Sequence, residues 1–193
     1  MRSRIRTGMR VAITCGSRGV ANIAIITRAI VDFVKSCGGE PFVFPAMGSH
    51  GGAPAEGQEI LASYNITEET MGCPILSSME VVQVGETEEG MPVFVDHYAY
   101  QADGVILCGR VKAHTAFRGP YESGILKMAV IGMGKQHGAE HVHQDGFSDL
   151  GRLLPMIARV IFDKVNILGA VAVAENAFDQ TCILEGLLKE EIF

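Results

Sequence analysis

Two histidines sit where an imidazole could work on a small molecule. His50 lies in Met47-Gly48-Ser49-His50-Gly51-Gly52, between glycines that clear room around the ring. His114 closes Arg110-Val111-Lys112-Ala113-His114. Histidine titrates near neutrality, so two of them facing one substrate can serve as acid and base in turn. Lys127 stands alone in Gly124-Ile125-Leu126-Lys127-Met128-Ala129-Val130-Ile131, an otherwise uncharged, apolar stretch. Its amine either reaches out to solvent along its aliphatic stem or is held in a dry pocket. In a dry pocket, desolvation lowers its pKa and makes it a usable nucleophile or covalent anchor. His137, His141 and His143 crowd a single short segment. That spacing points to a metal ligand among them, or else to a polar surface loop. Gly16-Ser17-Arg18-Gly19 is suited to an anion, because glycines let backbone N–H groups point inward and a following helix N-terminus adds its dipole. Arg18 can add a bidentate contact to a phosphate or carboxylate. The run is neither the P-loop nor the dinucleotide fingerprint, and a plain tight turn explains it equally well.

These residues need elements to hold them. Arg10 to Cys15 is a short apolar run ending at Gly16, as a buried strand should. Ala21 to Cys37 carries Ile23, Ile26, Ile30, Phe33 and Val34 at helical spacing, and Gly38-Gly39 closes it. Pro41 to Pro45 reads as the next strand, with the His50 loop at its end, and Pro54 to Tyr64 as the next helix. This order is a βαβα unit, hence a mostly parallel sheet with helices on both faces. Glu80 to Val84 and Met91 to Val95 flank Gly85 to Gly90 as an inserted hairpin projecting from the sheet. Val105 to Cys108 is another buried strand, followed by a long loop carrying His114. Ser123 to Met133 is apolar and starts as a helix. Asp149 to Lys164 is an amphipathic helix in which Pro155 suggests a kink or a late start. Ile167 to Ala174 is a last core strand. The end, Leu187-Leu188-Lys189-Glu190-Glu191-Ile192-Phe193, reads as the first turns of a helix, so a fragment of a longer enzyme is expected.

Composition narrows the function classes. The 193 residues suffice for one α/β domain with a sizeable core. A net charge of −6, with no basic stripe interleaved with aromatics, argues against nucleic acid as a partner. No apolar run reaches spanning length and no signal-peptide core opens the chain, so neither a membrane partner nor export is expected. The five cysteines lack metal-finger spacing, and four sit among small and apolar residues. Buried free thiols in a reducing, cytoplasmic compartment are the expectation.

Several segments, in order along nearly the whole chain, resemble a known family. They are Val11-Ala12-Ile13 leading to Gly16-Ser17-Arg18-Gly19, and Pro45-Ala46-Met47-Gly48-Ser49-His50-Gly51-Gly52. Then come Arg110-Val111-Lys112-Ala113-His114-Thr115-Ala116-Phe117-Arg118-Gly119 and Glu122-Ser123-Gly124-Ile125-Leu126-Lys127-Met128. Together they look like the lactate racemases that use a nickel-pincer nucleotide, in a branch apart from the true lactate racemases. The resemblance implies the N-terminal catalytic domain, residues 1–193, of a two-domain enzyme whose C-terminal domain this chain lacks. It implies a pyridinium-3,5-bisthiocarboxylic acid mononucleotide carrying nickel, tethered to Lys127 as a thioamide. His50 and His114 would be the acid/base pair. His143 would be the nickel ligand, with His141 as the competitor. Gly16, Ser17, Arg18, Ser123 and Gly124 would lie against the cofactor, with Arg18 near its phosphate or the substrate carboxylate. The activity implied is racemisation or epimerisation of a 2-hydroxy acid by hydride transfer. The stretch between His114 and Lys127 is longer than in the lactate racemases and reads Arg118-Gly119-Pro120-Tyr121-Glu122 where they carry a glycine-rich run. That leaves lactate or a larger, sugar-acid-like molecule open as substrate.

Two other classes stay open at this point. A zinc hydrolase would hold its metal among the clustered histidines and carry no adduct on Lys127. A non-catalytic nucleotide- or anion-binding domain would need neither His50 nor His114.

Overall fold

The computed structural model describes residues 1–115, 118–143 and 149–193, the His143 side chain excepted. Strand β1 (Arg10–Cys15) buries every residue after Arg10, and β2 (Glu40–Pro45) does the same after Glu40. Continuous apolar runs of this kind belong to parallel strands covered on both faces. Between them α1 (Ile23–Ser36) turns Ile26, Ile30, Val31 and Val34 inward. After β2 come α2 (Pro54–Ser63) and the short α3 (Glu68–Met71). Pro54 sits at the start of α2, where its missing N–H costs nothing.

The hairpin follows as β3 (Val81–Glu86) and β4 (Pro92–Asp96), then α4 (His97–Gln101), whose Ala99 N–H is accepted by Asp96 Oδ1 at 2.9 Å. β5 (Gly104–Arg110) leads into the His114 loop. The segment expected to start as a helix does so only briefly: α5 (Ile125–Lys127) runs straight into a π-helical turn, Met128–Gly132. The clustered histidines lie on α6 (Lys135–His143). α7 (Leu150–Lys164) runs on through Pro155, and β6 (Ile167–Glu175) and β7 (Thr181–Leu188) close the sheet.

The five strands lie in the order β2-β1-β5-β6-β7, with β7 alone antiparallel. One core packs α5, the π turn, α6, α7 and the hairpin against Ala12, Phe42, Phe44, Val105 and Leu107. The other packs α1 to α3 against Val11, Ile13, Val43, Ile106 and Leu168. Alternate residues of each strand thus face opposite layers, which is the mostly parallel sheet with helices on both faces.

The inserted hairpin stands apart from the main sheet, as expected, and forms a sheet of its own on α6 and α7, with Phe94 against the His137 ring (centroids 4.4 Å apart). The end of the chain differs from expectation: it is not a starting helix. Thr181 to Leu188 pair with β6, and only Lys189–Glu191 form a 3-10 turn. The ladder offered by β6 outweighs the local helical preference of the leucines and glutamates, as tertiary context usually does.

All five cysteines are free; Cys15, Cys73 and Cys108 are buried, Cys37 is half-buried and Cys182 exposed. Burial pushes the Cys15 and Cys108 thiols up to about 12, so both stay protonated and unreactive. Among the described residues no helix is long and apolar enough to cross a membrane.

The joint between β1 and β5 has one unusual feature. Their pairing stops at Ile13 and Ile106, whereas β1–β2 pairing continues to Cys15 and Pro45. Above that point the buried Thr14 hydroxyl takes over, accepting the Cys108 N–H at 2.8 Å. Replacing Thr14 by Val keeps the shape and leaves that N–H without a partner. The expected loss is about 1–3 kcal/mol, read from the urea midpoint, with Thr14→Ser losing less.

Candidate active site

β2 lies on one side of β1 and β5 on the other, so the chain's direction of travel reverses between β1 and β5. Open α/β sheets bind ligands beyond the carboxyl ends of the strands at such a reversal. The loops that emerge there carry Arg18 from β1, His50 from β2 and His114 from β5. Because β1 separates β2 from β5, the roots of the two histidine loops stand about 10 Å apart, two strand spacings.

The β1 loop is fixed by its neighbours. Glu175, at the end of β6, accepts the Ala21 N–H at 2.6 Å and holds Arg110 at 2.6 Å. Tyr64 donates its hydroxyl to the Ser17 carbonyl at 2.8 Å. The helix starts later than expected: Asn22 adopts a left-handed conformation (φ 63°) and α1 begins at Ile23. Gly16, Ser17 and Arg18 therefore stand clear of the helix end, and their capacity for anions rests on Arg18 and the loop amides.

Lys127 ends α5, at the junction with the π turn. Gly124 starts that helix with φ 99°, a conformation open to glycine, and its carbonyl accepts the Met128 N–H at 2.9 Å. Ser123 before it is half-buried. The amine of Lys127 is half-buried, and desolvation, followed by the charges of Lys112 and Arg18, lowers its pKa below 10.5. Burial and the neighbouring cations Lys112 and Arg18 thus loosen the amine's hold on its proton, and this positive cluster fits an anionic group such as a nucleotide phosphate.

His114 belongs to the same cluster. Its backbone N–H is accepted by Glu122 at 2.8 Å, and Glu122 also accepts the Gly119 N–H and faces Arg118 at 3.6 Å. Arg118 in turn donates to the His114 carbonyl. Desolvation first, then the charges of Lys127 and Lys112, lower the imidazole pKa below 6.5. The neutral form, a proton acceptor, is therefore favoured near neutral pH.

His50 is exposed on its loop and lines a small cavity with Met47, Ser77, Ser78 and Lys135. On α6, His141 Nδ1 lies 2.9 Å from the His137 carbonyl, and both rings pack on Phe94. His143 ends the helix, and its side chain lies outside the described residues. Among the described residues no three His, Cys, Asp or Glu come together as a metal cage.

The lactate racemase N-terminal domain family matches residues 2–151. The chain belongs to this family. The lactate racemase apoprotein of Thermoanaerobacterium thermosaccharolyticum has a similar fold (TM-score 0.77, 13% identity) over 98% of this chain. That match covers 48% of the solved protein, so the chain spans about half its length. No curated protein matches the sequence.

In this lactate racemase-type domain the geometry brings Arg18, His114 and Lys127 into one electrostatic cluster, with Ser17, Ser123 and Gly124 in the same loops. Glu122, Glu175 and Lys135 act in the site as well, and their roles come from the fold. Glu175 carried a signal, a lone acid at the end of an apolar strand. Lys135 carried another, a lysine just after Gly132-Met133-Gly134. If Lys127 depresses the His114 pKa through its charge, Lys127→Gln raises the His114 titration midpoint toward 6.5. Proton NMR titration of the imidazole checks this, and an unchanged midpoint would separate the two groups.

Proposed function

We propose that this domain is the cofactor-bearing half of a 2-hydroxy-acid racemase or epimerase that works with a nickel-pincer nucleotide. The observation that carries the reading is Lys127: a half-buried amine, acted on by the charges of Lys112 and Arg18, at the strand reversal of a lactate racemase-type domain. In this reading Lys127 anchors the cofactor as a thioamide. Arg18, with Gly16, Ser17, Ser123 and Gly124, holds the nucleotide or the substrate carboxylate. His143 is the proposed nickel ligand. His141 is the competitor: its Nδ1 lies 2.9 Å from the His137 carbonyl, which leaves Nε2 free to bind a metal.

When bound, the cofactor supplies a reversible hydride acceptor. The chain's own residues supply the proton chemistry. His114, favoured neutral by its surroundings, accepts the hydroxyl proton of one stereoisomer at an imidazole nitrogen. His50, on the loop across β1, does the same for the other stereoisomer. Lys112 and Arg18 keep the carboxylate fixed while the substrate's carbon changes face. A second domain, the half of the solved relative that this chain does not cover, closes the site against water. No observation favours the zinc hydrolase over this reading.

The test is turnover of 2-hydroxy acids by the full-length protein, coexpressed with the family's cofactor-making enzymes and nickel. His50→Ala and His114→Ala should each lower racemisation about 10²- to 10⁴-fold while the cofactor stays bound. Full activity in both variants would contradict the assignment.

A further inference from the structure

Lys135 is the most deeply buried lysine among the described residues, its side chain 3% exposed, and the cofactor reading does not use it. Its ammonium group lies 2.9 Å from Asp96 Oδ2, itself 0% exposed, and donates to the carbonyl of Pro45. It also sits 5.5 Å from the centre of the Phe44 ring. Each partner leads to a different part of the site. Pro45 ends β2, from which the His50 loop departs. Asp96 ends β4, caps α4 through Ala99, and donates its own N–H to the Met133 carbonyl at 2.7 Å, just past the π turn. Lys135 is itself the first residue of α6, the histidine helix. It also lines the small cavity beside His50.

The backbone is committed to the same place. Lys135 has φ 55°, in the left-handed region that side-chain-bearing residues rarely adopt. Local strain of this kind persists where surrounding contacts over-determine it, and it clusters at functional sites. A buried ion pair also gives little net stability compared with an apolar pair of the same volume. A lysine held here thus adds little that methionine could not add to the fold, apart from a directed link between three segments.

We infer that Lys135 is a positioning residue that fixes the His50 loop against the start of the histidine helix. The inference rests on the reading of His50 as an acid/base group, but its first measurement does not. The single change Lys135→Met would leave Asp96 charged and buried, so the useful variant is Lys135→Met with Asp96→Asn, which removes both charges. In the full-length protein this double variant should unfold cooperatively near the wild-type midpoint. Its His50 imidazole ¹⁵N resonances should shift or split, because the link to the Pro45 carbonyl is gone. In cofactor-loaded protein, kcat should fall about a hundredfold, as misplacement of a reacting group does, with KM changed less than about twofold. Unchanged His50 resonances would overturn the inference, and so would a double variant that cannot fold, since the pair would then serve the fold alone. If the wild-type protein racemises no 2-hydroxy acid, the function fails separately, and the imidazole spectra still decide the role of Lys135.

Discussion

How closely the π turn after Lys127 can approach the sheet governs everything above the strands. A Cβ on Gly132 would lie 2.8 Å from the Ala46 carbonyl oxygen and 2.8 Å from the Met128 sulfur. One on Gly48 would meet Ile131 at 2.8 Å, and one on Gly16 would meet Met128 at 3.1 Å. The glycines at the ends of β1 and β2 and inside the turn are what let Met128–Gly132 lie across the strand ends. The Gly48 N–H then reaches the Gly132 carbonyl at 3.4 Å. A π turn takes one more residue than an α turn, with Met133 N–H bonding back to the Met128 carbonyl, and such turns are frequent at functional sites. Here it leaves Lys127 at the strand reversal and carries the chain on toward the histidine helix.

Charge follows from the same packing. Two carboxylates beside the site are occupied with backbone: Glu122 accepts the His114 and Gly119 N–H groups, and Glu175 accepts that of Ala21 while holding Arg110. These bonds keep both acids ionised by lowering their pKa values, the backbone N–H being the largest cause in each case. They fix the loops without reaching Lys127, whose neighbours remain cationic. The folded-state pKa of Lys127 lies below 10.5, so the free amine weighs against folding at neutral pH and the penalty is relieved as pH rises toward 10.5. Acylation of the amine would remove that charge permanently. Covalent attachment of an anionic cofactor and relief of a local repulsion would then be one event.

The sheet was readable in the sequence because strands buried on both faces are continuous apolar runs, as in Val11 to Cys15 and Phe42 to Phe44. β7 was not, because Ile183 and Leu184 are adjacent and exposed and break the alternation that marks a half-buried strand. The π turn was hidden too, since one extra residue in a short apolar stretch leaves no periodic trace. His50 stood out between glycines and Lys127 among apolar neighbours, and His114 by its place on the loop after a buried strand. Lys135 has a similar setting, but its meaning comes from Asp96 and Pro45, partners distant in sequence that only the fold brings within reach.

The proposed role of this domain depends on whether Lys127 carries a covalent nucleotide. The direct measurement is a peptide mass spectrum of the full-length protein, purified after coexpression with the cofactor-making enzymes and nickel. It should show an adduct on the peptide containing Lys127, with the isotope pattern of nickel. A bare Lys127 beside a loaded lactate racemase prepared in the same way would contradict the account and leave a lactate racemase-type fold that binds its ligand by other means.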